Sequence, residues 1–149
     1  MALGEGLGRL FDVEPQISYL AGTVKPVNLK DAAGVTFVCF VPGGGGDIFI
    51  VKQSAVKGSG FAAFNPITRY YNKSALDGTA QWTDSGDLAA SLGTIQIGSG
   101  CVAFYVDAAD TPSENPYVEV APGTSGIVIA IVHDLLVQRQ PKYLRALNS

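Results

Sequence analysis

Short runs of β-branched and aromatic residues, each cut by glycine, proline or aspartate, constrain this chain more than any other feature. "VTFVCFV", "IFIVKQS", "CVAFYVD", "YVEV" and "IVIAIVHDLLVQR" favour strands over helices. The turn residues between them, as in "LDGT", "AADTPSENP" and "APGTSG", end each run before a helix could form. Seven or eight such runs in 149 residues predict an all-β fold, a single-domain antiparallel β-sandwich or barrel of jelly-roll-like kind. The expected layout is an extended N-terminal arm over residues 1–26, a β domain over 27–140 and a C-terminal tail over 141–149.

The stretch "VPGGGGDIFI" (residues 41–50) tests that reading. Four consecutive glycines resemble a phosphate cradle, but such a loop needs a lysine and a helix N-terminus behind it. Here Asp47 follows, which would repel an anion, and then a strand-like run. Two strand-like runs around a glycine-rich connection predict a β-hairpin. A hairpin tip this bare costs ordering entropy, and its compensating advantage is close approach to a neighbour. Gly43, Gly44, Gly45 and Gly46 are therefore candidate contact residues.

Both registers of "VTFVCFV" and "IVIAIV" are apolar, as expected of central strands. "ITRYYNKSAL" alternates Ile67, Arg69 and Tyr71 against Thr68, Tyr70 and Asn72, predicting a half-buried strand. "AQWT" holds the only tryptophan, Trp82. Asp87 can cap one helical turn before the chain returns to strand at Ile95 and Ile97. Cys39 and Cys101 each lie in an apolar run and are expected to be buried free thiols, not a disulfide.

Composition excludes several function classes. A net charge of −3 and a pI near 4.9 give no field to gather nucleic acid, so no direct nucleic-acid partner is expected. The most apolar run, "GIVIAIVHDLLV", is too short to span a bilayer as a helix and is interrupted by His133 and Asp134. The start "MALGEGLGRLF" lacks the basic region and unbroken apolar core of an export signal.

Catalytic ingredients are scarce. Any Ser-His-Asp or Cys-His site must use His133, the one histidine. Neighbours on a strand point to opposite faces, so His133 and Asp134 are not expected to converge unless a bulge intervenes. Asp84, Asp87, Asp107, Asp110 and Glu114 sit in turns, where acids commonly occur. No catalytic residue, cofactor site or metal site is assigned. Tyr70, Tyr71 and Trp82 are expected to fill the core, with a carbohydrate platform as the competing use.

The ends of the chain read as contact segments. Leu3, Leu7, Leu10 and Phe11 follow a loosely helical spacing that Gly4, Gly6 and Gly8 each oppose by about 1 kcal/mol. In the tail, Arg139, Lys142 and Arg145 occur without an acid beside the apolar Tyr143, Leu144 and Leu147. Pro141 stops the last strand. Such a tail is expected to dock on an acidic surface.

The order "AAGVTFVCFV", "RYYNKSALDGTAQWT", "CVAFYVDA" and "GIVIAIVHDLLVQRQP" resembles the capsid decoration and minor head proteins of tailed bacteriophages infecting actinobacteria. The resemblance runs from about Ala32 to Leu147, with "HDLLVQRQP" its most specific part. The ending "KYLRAL" replaces a shorter apolar terminus, and the N-terminal arm has no counterpart. The resemblance implies a non-enzymatic virion protein on the capsid exterior, assembled in the host cytoplasm and partnered by the major capsid protein of the same phage. The local threefold axes of a shell lead to the further expectation of a homotrimer. Competing readings are a neck, tail or fibre component and a carbohydrate-binding β-sandwich module.

Overall fold

Alternation along each strand decides which side chains are buried, and the long strands β3, β4, β9 and β11 follow it over most of their length. The computed structural model describes residues 6–16, 26–42, 45–67, 69–86, 93–111 and 113–144. Leu3, Gly43, Gly44, Arg145 and Leu147, and the helical turn expected at Asp87, lie outside these residues.

In chain order the strands are β1 (Phe11–Gln16), β2 (Val27–Asn28), β3 (Ala32–Phe40), β4 (Asp47–Ser54), β5 (Ala62–Ala63) and β6 (Tyr70–Lys73). They continue with β7 (Thr83–Asp84), β8 (Thr94–Ile97), β9 (Cys101–Asp107), β10 (Tyr117–Pro122) and β11 (Ile127–Leu135). One sheet has the order β1-β11-β3-β9-β6-β7, and the other has β2-β10-β4-β5 with β8 also on β4. All named pairings are antiparallel. The fold is an all-β sandwich of two open sheets, not a closed barrel.

The core lies between the sheets. Val35, Phe37 and Cys39 of β3, Phe104 and Val106 of β9, and Val128 and Val132 of β11 face inward from the larger sheet. Val27, Phe49, Val51, Val118, Val120 and Ile95 meet them from the smaller one. Phe37 and Phe104 pack with ring centroids 5.6 Å apart. Each fully buried valine or phenylalanine contributes about 1.5–3 kcal/mol of transfer free energy. Cys39 and Cys101 are both free and buried. They stand in adjacent rows of β3 and β9, where alternation points their side chains to opposite faces.

The expected hairpin between "VTFVCFV" and "IFIVKQS" does not form. Both edges of β3 are taken, by β11 on one side and β9 on the other, so β4 has no edge to pair with and joins the opposite sheet. The glycine-rich connection is a passage between layers. At its end, Gly46 has a φ of +68°, and a Cβ there would stand 2.6 Å from the Ile97 carbonyl. Only glycine meets both conditions.

The arm expected over residues 1–26 is also not wholly an arm. Residues 11–16 form β1, paired with β11 from Phe11↔His133 to Gln16↔Val128. Competition from glycine weakens a helix there, and the free edge of β11 supplies the alternative. In β6 the expected alternation breaks: Ile67 is buried and Tyr70 packs on the core, while Tyr71 is 40% exposed.

One carboxylate ties the passage to the rest of the sandwich. Asp47 is buried at the start of β4 and accepts hydrogen bonds from the N–H groups of Ile48 (2.8 Å), Thr124 (3.0 Å), Ser125 (3.1 Å) and Gly126 (2.7 Å). The last three belong to the turn between β10 and β11, so the contact joins both sheets. Burial pushes the Asp47 carboxyl up, but the hydrogen bonds from Ile48, Thr124 and Gly126 outweigh it and hold the group below its ordinary value of 3.8. A lowered folded-state value means that the carboxylate stabilises the fold above pH 3.8, and that this contribution disappears as pH falls through the lower folded value. Asp47→Asn is expected to lose about 2 kcal/mol near neutral pH. Urea unfolding across the acid range should show the gap between parent and variant closing below pH 3.8; a gap independent of pH would refute the assignment.

Candidate functional site

The two ends of the domain meet. The Gly6 carbonyl accepts hydrogen bonds from the N–H groups of Arg9 (3.1 Å), Leu10 (2.7 Å) and Phe11 (3.1 Å), folding residues 6–11 into a tight turn before β1. Arg139 N–H then donates to the Gly8 carbonyl at 2.8 Å. Gly8 has a φ of +80°, and a Cβ there would strike the Arg139 carbonyl. This joint therefore needs glycine for its backbone angle and for its closeness. A 3-10 turn, Pro141–Tyr143, follows.

A cleft of about 390 Å³ opens at this joint, lined by Leu7, Arg9, Arg139, Gln140, Pro141 and Lys142. Among the described residues, Arg9, Arg139 and Lys142 have no ion-pair partner; the ion pairs found are Arg69 with Asp84 and His133 with Asp134. Lys142 Nζ lies 4.9 Å from the ring centroid of Tyr143. Leu10 and Tyr143 are exposed, and Phe11 and Leu144 are half-buried. The structure thus brings together Leu7, Arg139 and Lys142 from the expected contact residues. It adds Arg9, whose isolated charge among glycines carries no pattern by itself.

Gly45 and Gly46, the described part of the glycine run, are not part of this site. Gly45 is exposed, with open space around it, and Gly46 follows the far end of β3. The joint lies at the near end, where Leu136 N–H reaches the Asp31 carbonyl. The length of β3 separates them by roughly 27 Å.

Above the joint spreads the outer face of the six-stranded sheet. The register places Ile127, Ile129 and Ile131 of β11 beside Phe40, Val38 and Thr36 of β3. These in turn lie beside Cys101, Ala103 and Tyr105 of β9. Except for buried Cys101, these side chains are half-buried or exposed, so nothing among the described residues covers the face. At its end nearest the joint His133 is fixed on three sides. Its Nε2 is 3.0 Å from Thr36 Oγ1, its Nδ1 is 3.0 Å from Asp134 Oδ2, and its ring stacks on Tyr105 at 5.0 Å.

The expectation that His133 and Asp134 diverge is therefore corrected. Asp134 has a φ of +54°, and the β3 ladder passes from His133↔Gly34 to Leu135↔Ala32 without it. This break in alternation swings the carboxylate back to the imidazole. The chain Thr36, His133, Asp134 has the spacing of a nucleophile, base and orienting acid. Thr36, however, stands in mid-strand with ladders on both sides, where backbone N–H groups are committed to the sheet and unavailable to an oxyanion. The cleft lies instead at the joined ends. What the cluster does physically is hold the imidazole in one orientation. Among the described residues no group of three or more metal-binding side chains occurs.

Tyr71 and Trp82 do not fill the core, contrary to expectation. They are 40% and 47% exposed, and Lys73 Nζ lies 5.0 Å from the Trp82 ring centroid. β7 begins only after Trp82 and adds a two-residue edge, too short to carry the ring under the sandwich.

Comparison with protein-family models, curated proteins and solved structures finds no match to this chain.

The joint makes a direct stability prediction. Gly8→Ala should destabilise the domain by about 1–2 kcal/mol through backbone strain and the clash with Arg139. Amide hydrogen exchange should show the loss first at Arg139, and unchanged protection there would contradict the described geometry.

Proposed function

We propose that this chain is a non-enzymatic structural protein of a tailed-bacteriophage virion, a capsid decoration protein that binds the assembled head shell and stabilises it. The observation that carries the reading is the combination of an apolar sheet face with a cationic cleft that has no ion-pair partner among the described residues, on one rigid sandwich. Both are surfaces suited to a protein partner, and neither is an enclosed substrate site. The virion setting rests on the ordered resemblance from Ala32 to Leu147. In this role the partner is the major capsid protein of the same phage. Binding only to the assembled state adds free energy to that state by mass action.

A second reading, a carbohydrate-binding module, is favoured by the exposed Trp82 and Tyr71, since flat aromatic rings are common sugar platforms. Particle binding decides between them. The purified protein should co-sediment with shells lacking it, at a copy number comparable to that of the shell subunit, and raise the temperature at which those shells release their contents. A copy number of only a few per particle would move the assignment to a neck, tail or fibre component. Quenching of the single tryptophan by an oligosaccharide, with no shell binding, would replace the proposal by the sugar-binding reading.

A further inference from the structure

The two outer faces of the sandwich differ in kind. On the smaller sheet Lys52 stands opposite Glu119, a charged pair in the middle of the face. Burial pushes the Glu119 carboxyl up and Lys52 partly offsets it. The middle of the larger sheet, across β11, β3 and β9, carries no charge. Its rows run through Ile127, Ile129, Ile131, Val38, Phe40 and Tyr105. Three strands at about 4.8 Å spacing and seven residues at about 3.3 Å give an uncharged centre of roughly 330 Å², and β1 and β6 on either side widen the face to roughly 550 Å². With its flanks this approaches the roughly 800 Å² per partner of an ordinary stable interface.

At the joint end of that face charge is divided by side, with the Asp134 carboxylate held on His133 between the two flanks, while Lys73 and Asp84 lie farther out on β6 and β7. On the β1 flank stand Arg9, Arg139 and Lys142, around the joint. On the β9 flank, at the same end, stands Asp107, paired with Gly34, followed by Asp110 in the 3-10 turn Ala108–Asp110. Their nearness is felt by Tyr105, whose phenol is pushed up by burial and then by the carboxylates of Asp107, Asp134 and Asp110. A two-fold axis lying between two such faces and parallel to the strands keeps each row in place and exchanges the flanks. It sets the cationic flank of one copy against the acidic flank of the other, twice, with apolar rows between.

We propose that the outer face of the six-stranded sheet is a self-association surface, on which a second copy of this chain packs face to face as an isologous dimer. The inference rests on the same face and cationic flank that carry the shell-binding reading, assigns them in the free protein to a second copy, and differs from the trimer that shell symmetry would favour; the solution mass tests it separately from particle binding. Aromatic and β-branched side chains flanked on a sheet pack well against a like surface, and stacked sheets settle about 10 Å apart.

The test is the mass of the full chain in solution at micromolar concentration, by sedimentation equilibrium. The expected mass is twice 15.5 kDa. Ile129→Lys, placed in the centre of the face, should give a monomer whose far-ultraviolet spectrum matches the parent. Because that variant could fail to fold, two flank positions, the half-buried Arg139 and the exposed Asp110, supply an independent measurement. Arg139→Asp and Asp110→Arg should each weaken the dimer by about tenfold or more. Mixing the two should restore it, since each then meets the opposite charge at both flanks. A monomeric or trimeric parent would overturn the proposal, as would a dimer whose strength is unaffected by the flank variants or unrescued by their mixture.

Discussion

The sandwich depends on one carboxylate placed where the chain changes layers. Asp47 begins β4 immediately after the glycine-rich passage, and its acceptors collect N–H groups from the turn that sends β10 into β11. Those backbone groups sit at the end of both sheets and need a partner that the ladders do not supply. A nest of amides of this kind is an anion site, and here the anion is the protein's own. The glycine run at first suggests a place for phosphate; the actual anion cradle in its vicinity is filled internally and holds the layers together.

With the core secured in that way, the outward faces are free to differ. The smaller sheet mixes charge and apolar groups, with Glu119 opposite Lys52. The larger sheet keeps its outward rows apolar and pushes charge to its rim, and the joined ends of the domain add a cationic cleft beside it. Sites built on strands are held more rigidly than sites on loops. The same rigidity shows in His133, whose two ring nitrogens and one ring face are all engaged.

Much of this was legible in the residues. The strand-like runs became strands, the two cysteines are buried free thiols, and the apolar registers on both sides of β3 and β11 reported central strands with one face toward the core and one outward. Partner choice was not legible, because pairing is a non-local property. Nothing in "VTFVCFVPGGGGDIFIV" says that both edges of β3 will be claimed by strands from the second half of the chain. Local exceptions to alternation were equally hidden: aspartate tolerates a positive φ better than most residues, but nothing beside Asp134 in the sequence marks it as the one that adopts it. Arg9 was missed for a related reason, since its two cationic neighbours lie at the other end of the sequence. Trp82 was misplaced because a large aromatic residue signals burial only when its strand continues under the sheet, and β7 does not.

The placement of β3 also has a consequence in time. Its contacts reach residues 72 positions away, from Ala33 to Tyr105, and 97 positions away, from Thr36 to His133. Neither neighbour of β3 exists until most of the chain has been synthesised, so this largely apolar strand must wait unpaired while the rest emerges. Such long-range closure slows folding and leaves a sticky strand exposed meanwhile. A protein made in large amounts on this plan would depend on late release from the ribosome, followed by rapid collapse of the last strands onto the first, more than on any order of assembly along the chain.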